Sequence, residues 1–192
     1  YSQPQTSFWC CVGSGMENHA KYNELIYTSN KNNLYVNLFI PSRLNWKTQE
    51  VVITQNTRFP DEETVTFTIN AKKASKFTLN LRYPAWVAAG ALKVTVNGKP
   101  VAVTALPGSY LAINRKWKDG DKVTLQLPMQ TRVEELPDKS NYIAVFHGPI
   151  VLAAKTDTAE MKGLFADDSR GGHVASGRQF PITEMPMFVS DK

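Results

Sequence analysis

The chain has 192 residues, 42% of them hydrophobic and 20% charged, which is an ordinary globular composition. Its formal net charge is +5, but the Lys and Arg residues are mostly scattered and form no arginine-rich helix or aromatic–basic motif, which argues against nucleic-acid binding. No apolar run approaches the roughly 20 residues of a membrane-spanning helix, so we expect none. The sequence starts at Tyr1 without a leader-like segment, and we expect a processed protein or an excised fragment.

A single helix is predicted near the start of the chain. Ser14 and Glu17 fit a capping box, in which each side chain bonds the backbone amide of the other residue, and this predicts a helix over residues 15–29. Tyr22, Leu25 and Ile26 would share one helical face. The polar run 30–33 then favours the end of the helix.

After the helix, the apolar residues alternate with a period of two, which is typical of β-strands. Asn97-Gly98 is a strong hairpin signal, and the run 118–121 predicts a second turn. The regular spacing indicates eight to ten short strands in an antiparallel β-sandwich over residues 33–154. The predicted strands cover residues 34–40, 65–69, 77–81, 92–96, 101–103, 111–113, 123–127, 143–145 and 150–152. Residues 155–192 show neither period and read as a linker or the start of a further domain.

The two cysteines of the chain, Cys10 and Cys11, are adjacent and precede the predicted helix. Adjacent thiols cannot join distant parts of a fold, and two cysteines form no disulfide framework, which leaves the redox compartment open. Three uses remain: two small buried side chains, a vicinal disulfide, or a metal-binding or nucleophilic pair. Zinc takes thiolate and imidazole ligands in a tetrahedron, so two thiols need at least one further ligand.

Other residues that could serve a site have simpler interpretations. His19 is the nearest candidate ligand, but a packed or surface histidine is the more ordinary use. Glu17 is explained by helix capping. The four tryptophans could stack on sugar rings, although filling the core at strand ends is favoured. They are Trp9, Trp46, Trp86 and Trp117.

The block FWCCVGSGMENH at residues 8–19 resembles the signature of the β-L-arabinofuranosidase group of glycoside hydrolases, families 127 and 146, long known as the domain of unknown function DUF1680. Similar motifs follow in the expected order over most of the chain. They are LRYPAW at 81–86, VNG at 96–98, INRKWKDGD at 113–121, LQLPM at 125–129 and VFHGPIVLAA at 145–154.

The resemblance implies a catalytic (α/α) barrel followed by β-sandwich domains. Residues 1–32 would close the barrel, and the sandwich would begin at residue 33. It also implies a Zn²⁺ held by a Glu, a Cys and the adjacent cysteines. Cys10 would be the nucleophile and a zinc ligand, and Cys11 a zinc ligand only. The other ligands and the general acid/base would precede Tyr1, so we expect this chain alone to be inactive.

Three functional hypotheses follow. The chain is part of a zinc-dependent retaining hydrolase of β-L-arabinofuranosides in plant glycans, or a non-catalytic carbohydrate-binding module, or a structural sandwich that supports the barrel. The expected partners are an arabinose-containing oligosaccharide, the upstream barrel of the same protein and a possible second copy in a homodimer.

Overall fold

The protein is described by a computed structural model covering residues 10–139 and 142–153, with side chains from residue 13 onward. The thiols of Cys10 and Cys11, Trp9 and the segment 155–192 lie outside the described residues. Residues 21–152 form one compact unit. Among the residues covered, no helix is long and apolar enough to cross a membrane.

The described chain consists of one α-helix, a short 3-10 helix and thirteen β-strands. The α-helix, α1, spans Cys10–Leu25, and the 3-10 helix spans Lys47–Gln49. The strands are β1 (Tyr27–Asn30), β2 (Asn33–Val36), β3 (Ser42–Trp46), β4 (Val51–Thr57), β5 (Thr64–Ala71), β6 (Ser75–Arg82), β7 (Lys93–Val96), β8 (Lys99–Val101), β9 (Tyr110–Trp117), β10 (Asp121–Gln126), β11 (Thr131–Glu135), β12 (Ile143–His147) and β13 (Ile150–Leu152).

The helix is confirmed, but its predicted bounds are wrong. Because α1 already includes residues 10–13, Ser14 lies inside the helix and does not cap it, and both cysteines belong to the helix. At the other end, the helix stops at Leu25. Residues 27–30 form a strand that turns back at Lys31, whose φ of 52° is left-handed, and pairs with β2. Asn30 and Asn33 are therefore paired hairpin residues.

The predicted sandwich is confirmed. One sheet has the strand order β1-β2-β6-β9 and the other has β3-β4-β5-β10-β7-β8, and their inward side chains share one hydrophobic core. Val65, Phe67 and Ile69 of β5 are fully buried in that core. All strand pairs in these two sheets are antiparallel except β2 and β6, which run parallel.

The last three strands form a separate sheet in the order β11-β12-β13. The alternating residues around Gly148 correctly predict β12 and β13, but these strands do not join either sheet of the sandwich. The described core cluster ends at Leu127 and contains no residue of the third sheet. Seven large apolar side chains in or beside that sheet are exposed: Val133, Leu136, Tyr142, Ile143, Ile150, Val151 and Leu152.

The turn predictions are confirmed, and so is the core position of Trp46 and Trp117, whereas Trp86 is half-buried and stacks on Phe59. Asn97 and Gly98, with φ of 51° and 76°, connect β7 to β8 in the left-handed conformations that a tight hairpin requires. Trp46 and Trp117 are buried in the core, and the indole nitrogen of Trp117 donates to the Phe77 carbonyl at 3.0 Å. These two rings fill the core and are not available to sugars.

Candidate functional site

The two predicted site residues lie on the single α-helix of the described chain. Cys10 and Cys11 are consecutive residues in α1, which is 16 residues and therefore about 24 Å long. The helix exposes most of its described residues, and its ion pair between Lys21 and Glu24 is on the surface. The chemistry expected of this chain is thus carried by one helix that leads directly into the sandwich.

The helix geometry separates His19 from the cysteines. His19 lies eight residues after Cys11, about 12 Å along the axis, whereas neighbours on a helix surface are three or four residues apart. Glu17 is exposed within the helix and has no capping role, because the helix begins upstream of it. Neither residue is placed beside the thiols by the helical repeat.

The two thiols that this chain supplies match the ligand preference of zinc. Two thiols on consecutive residues offer two of the four soft ligands that zinc prefers. Among the described side chains, no three His, Cys, Asp or Glu residues cluster in a way that could hold a metal ion. The thiols of Cys10 and Cys11 are outside that set, and two thiols could supply at most half of a tetrahedral site.

The carboxyl end of α1 is attached to the sandwich by Asn37, which follows β2. Its side-chain amide donates to the Leu25 carbonyl at 3.1 Å and to the Thr28 hydroxyl at 3.2 Å, while its backbone amide donates to the Ile26 carbonyl at 2.9 Å. Carbonyls in the last turn of a helix lack partners within the helix, so these bonds supply what the helix end needs. Ile26, directly after the helix, is buried.

Asn37 also belongs to a polar cluster on the four-stranded sheet, here called the tyrosine cluster: Tyr35, Asn37, Arg82 and Tyr110. The Tyr110 hydroxyl donates to the Asn37 side-chain oxygen at 2.7 Å, and the Arg82 guanidinium donates to the Asn37 carbonyl at 3.3 Å. The rings of Tyr35 and Tyr110 meet edge to face, with centroids 5.4 Å apart. The sequence does not predict this cluster, because an asparagine after a strand carries no distinctive signal and its partners are up to 73 residues away.

The electrostatics of the turn at 118–121 indicate that this motif is structural. Burial alone would raise the pKa of the Asp121 carboxyl, but hydrogen bonds from the Asn97 side chain and the Lys118 backbone amide, with the charges of Arg115 and Lys118, together hold that pKa below its ordinary value. Asn97 in turn accepts a bond from the Lys122 amide at 2.8 Å. The two turns therefore stabilise each other.

Near the start of the sandwich, burial raises the pKa of the Tyr27 phenol, an effect partly offset by a hydrogen bond with Ser42 at 3.0 Å. Gln55 lies close to this pair and is buried, and its amide nitrogen donates to the carbonyls of Leu38 and Ile40 at 3.2 and 2.6 Å. These bonds fix the irregular segment between β2 and β3. They stabilise the fold and provide no nucleophile or acid.

Comparisons with known proteins agree with this fold. The family model described as "Beta-L-arabinofuranosidase, GH127 middle domain" matches residues 33–129, just over half of the chain. A second model, described only as a domain of unknown function, matches residues 132–192. No curated protein matches the chain.

Three solved structures are similar over most of the described chain. A protein named glycoside hydrolase is 32% identical with a TM-score of 0.69, covering 78% of this chain and 26% of its own. A GH127 beta-L-arabinofuranosidase from Geobacillus stearothermophilus T6 is 30% identical with a TM-score of 0.66, and the match covers 74% of this chain and 23% of that protein. A GH127 beta-arabinofuranosidase is 28% identical with a TM-score of 0.56, and the match covers 66% of this chain and 23% of that protein.

The chain spans about a quarter of the length of these structures. The family match nevertheless covers both sheets of the sandwich from β2 to the end of β10. Together with the similar structures, it assigns the fold: the chain belongs to the GH127 β-L-arabinofuranosidase family of glycoside hydrolases.

Proposed function

We propose that this chain is part of a zinc-dependent retaining glycoside hydrolase that removes β-L-arabinofuranosyl units from plant glycans, with Cys10 as nucleophile. The observation that carries the proposal is the pair of adjacent thiols on the helix that leads into a GH127 middle domain. The similar structures named as arabinofuranosidases support the substrate class.

In the proposed reaction, the Cys10 sulfur forms a bond to the anomeric carbon while the glycosidic C–O bond breaks. The leaving oxygen takes a proton from a carboxylic acid outside this chain. Water then attacks the same carbon and gives a proton to the carboxylate that the acid left behind, the C–S bond breaks, and the thiolate is restored with overall retention of configuration. When bound, zinc supplies the positive charge that keeps the thiols of Cys10 and Cys11 deprotonated at neutral pH.

The rest of the chain would act as a brace for this chemistry. Asn37 fixes the carboxyl end of the helix that carries the cysteines, and a 1 Å misplacement of a reacting group can cost about 100-fold in rate. We expect the 192-residue chain alone to be inactive, because the resemblance places the acid and two zinc ligands before Tyr1. We also propose that the start of the chain, before β1, completes an upstream barrel. The sandwich spans β1 to β10, residues 27–126, and not the predicted 33–154. Strands β12 and β13 lie in the segment 132–192 that the second family model matches, so we propose that the further domain begins near residue 132 and not at 155.

The kinetic test compares Cys10→Ser and Cys11→Ser in the full-length protein on an aryl β-L-arabinofuranoside. Serine is not ionised at neutral pH, so Cys10→Ser removes both the nucleophile and a ligand and should abolish turnover. Cys11→Ser leaves the attacking sulfur in place and should slow turnover less. Full activity of the Cys10 variant would refute the mechanism.

The alternative is a non-catalytic carbohydrate-binding or structural module. A binding module should retain arabino-oligosaccharides without the upstream barrel, whereas a brace should not. A homodimer is a further proposal, which light scattering of the purified protein tests directly.

A further inference from the structure

The outward face of the four-stranded sheet carries cations with no compensating acid. Strands β1, β2, β6 and β9 contain no Asp or Glu. Since Phe77, Leu79 and Leu81 of β6 point into the core, the alternate residues of that strand lie on the other face, and the same alternation holds in β9. This surface, here called the basic face, presents Lys76, Thr78, Arg82, Tyr110, Ala112, Asn114 and Lys116, whereas Asn80, on the same side of β6, is buried.

Two of these cations oppose each other directly. Lys76 on β6 is the register partner of Lys116 on β9, and both side chains are exposed. Like charges at opposed positions of an antiparallel pair destabilise a sheet. Within the part of the chain that the structure describes, neither lysine forms an ion pair. An unfavourable pair of opposed like charges is expected where a surface is selected for binding and not for stability.

The other end of the same strand pair is preorganised. Arg82 and Tyr110 are register partners, and both bond Asn37 in the tyrosine cluster. Tyr110 keeps 39% of its surface exposed while its hydroxyl is fixed. Side chains that are already ordered lose less entropy on binding, which favours affinity.

Between the two ends lies a polar track. The Asn114 amide donates to the Thr78 hydroxyl at 2.8 Å, and Asn80 donates to the Leu34 carbonyl at 3.2 Å. From Lys76 to Arg82 the strand spans six residues, about 20 Å. The buried Asn80 fixes the strands, and the face offers cations at both ends, the Thr78 hydroxyl and the Asn114 amide between them, and tyrosine rings at one end.

We propose that the basic face binds an acidic oligosaccharide, one that carries uronate groups along an extended chain. Carboxylates would pair with Lys76, Lys116 and Arg82, sugar hydroxyls would bond the exposed Asn114 amide, and the exposed face of Tyr110 would contact a sugar ring. The charge complementarity commits the surface to an anionic glycan, since a neutral one would gain nothing from the opposed lysines. Binding at this face does not depend on the chemistry of the thiols.

The test uses the purified chain and calorimetric titration with an oligogalacturonate. A neutral arabino-oligosaccharide of equal length and a single-stranded DNA of equal charge serve as comparison ligands. The oligogalacturonate should bind at least about tenfold more tightly than either, and high salt should weaken it. Equal affinity for DNA, or no preference over the neutral sugar, would overturn the proposal.

The variant Lys76→Glu separates binding from folding. It places Glu opposite Lys116, which replaces a repulsive pair with an attractive one, so the unfolding temperature should stay the same or rise. Affinity for the oligogalacturonate should nevertheless fall about tenfold or more. Lys93→Glu, on the exposed side of β7 in the other sheet, is the matched control and should leave affinity unchanged. Cys10→Ser should also leave it unchanged, which keeps this test distinct from that of the catalytic proposal. Unaltered binding by Lys76→Glu would refute the site.

Discussion

The side-chain amide of Asn37 donates a hydrogen bond of 3.1 Å to the carbonyl oxygen of Leu25, the last residue of α1. This contact joins the helix that carries Cys10 and Cys11 to the end of β2. Because Asn37 also accepts from Tyr110 at 2.7 Å, the helix end and the outer surface of the four-stranded sheet share one side chain.

Replacing Asn37 by alanine should lower the free energy of unfolding by about 1–3 kcal/mol, because it removes the side-chain hydrogen bonds to Leu25, Thr28 and Tyr110 together, each worth about 1 kcal/mol or less. Denaturant unfolding measures the loss. The matched control is Asn114→Ala, which removes one exposed hydrogen bond to Thr78 and should cost less than about 1 kcal/mol. Equal losses in both variants would contradict the anchoring role of Asn37.

The pKa of Asp121 gives the protein an acid-sensitive contribution to stability. A carboxyl whose pKa is lower in the folded state stabilises the fold above its unfolded pKa, about 3.9, and that contribution is lost as pH falls through the lower folded value. Asp121→Asn should therefore reduce stability at pH 7 and flatten the decline of stability below about pH 4.

Glu62→Gln is the control for this titration. Glu62 forms an exposed ion pair with Arg58 at 3.1 Å, and its loss should change stability by less than about 0.5 kcal/mol. Unfolding curves between pH 2 and pH 7, measured for both variants, compare the two carboxylates. An Asp121→Asn profile parallel to the wild type would show that this carboxyl is not the acid-sensitive group.

Gly148, in the turn between β12 and β13, should be costly to replace by a residue with a side chain. Its φ is 54°, and an added Cβ would lie 2.7 Å from the Cγ of Met129. Gly148→Ala should therefore cost about 1–3 kcal/mol more than Gly90→Ala, which has a similarly positive φ but open space around it. Hydrogen exchange of the β12 and β13 amides measures the difference, and equal protection in the two variants would exclude the predicted clash.

The sequence predicts those parts of the fold whose signals are local. The strand around Phe67 alternates without interruption, and Asn97-Gly98 specifies its own turn, so both are correctly predicted. Strand β4 was missed because Gln55, a polar residue, occupies an inward position and interrupts the alternation. The parallel pairing of β2 with β6 depends on residues more than 40 positions apart, which no local pattern reveals.

The candidate site, too, is predictable from the sequence only in part. The adjacent thiols of Cys10 and Cys11 are visible in the sequence as a motif. The predicted helix nevertheless starts at residue 15 and not at Cys10, because Ser14 to Glu17 match a capping box although they lie inside a longer helix. The role of Asn37 was not predictable, because its bonds to Leu25 and Tyr110 arise only after three separate segments have packed together.

Zinc binding should depend on both cysteines and on residues outside this chain. We expect the 192-residue chain to bind zinc weakly, because two thiols leave the tetrahedron open, and the full-length protein to bind it much more tightly. Metal analysis after dialysis measures zinc content in both forms. Equal zinc content in the full-length protein and its Cys11→Ser variant would count against ligation by Cys11.

Covalent labelling of the full-length protein tests the central claim most directly. An arabinofuranose-based inhibitor that reacts with the nucleophile should form one adduct, and peptide mass spectrometry should locate it on the sulfur of Cys10 and not on Cys11. Denatured protein, in which the thiols lose their environment, is the control for nonspecific alkylation. A label on Cys11 or on a carboxylate would contradict the role assigned to Cys10.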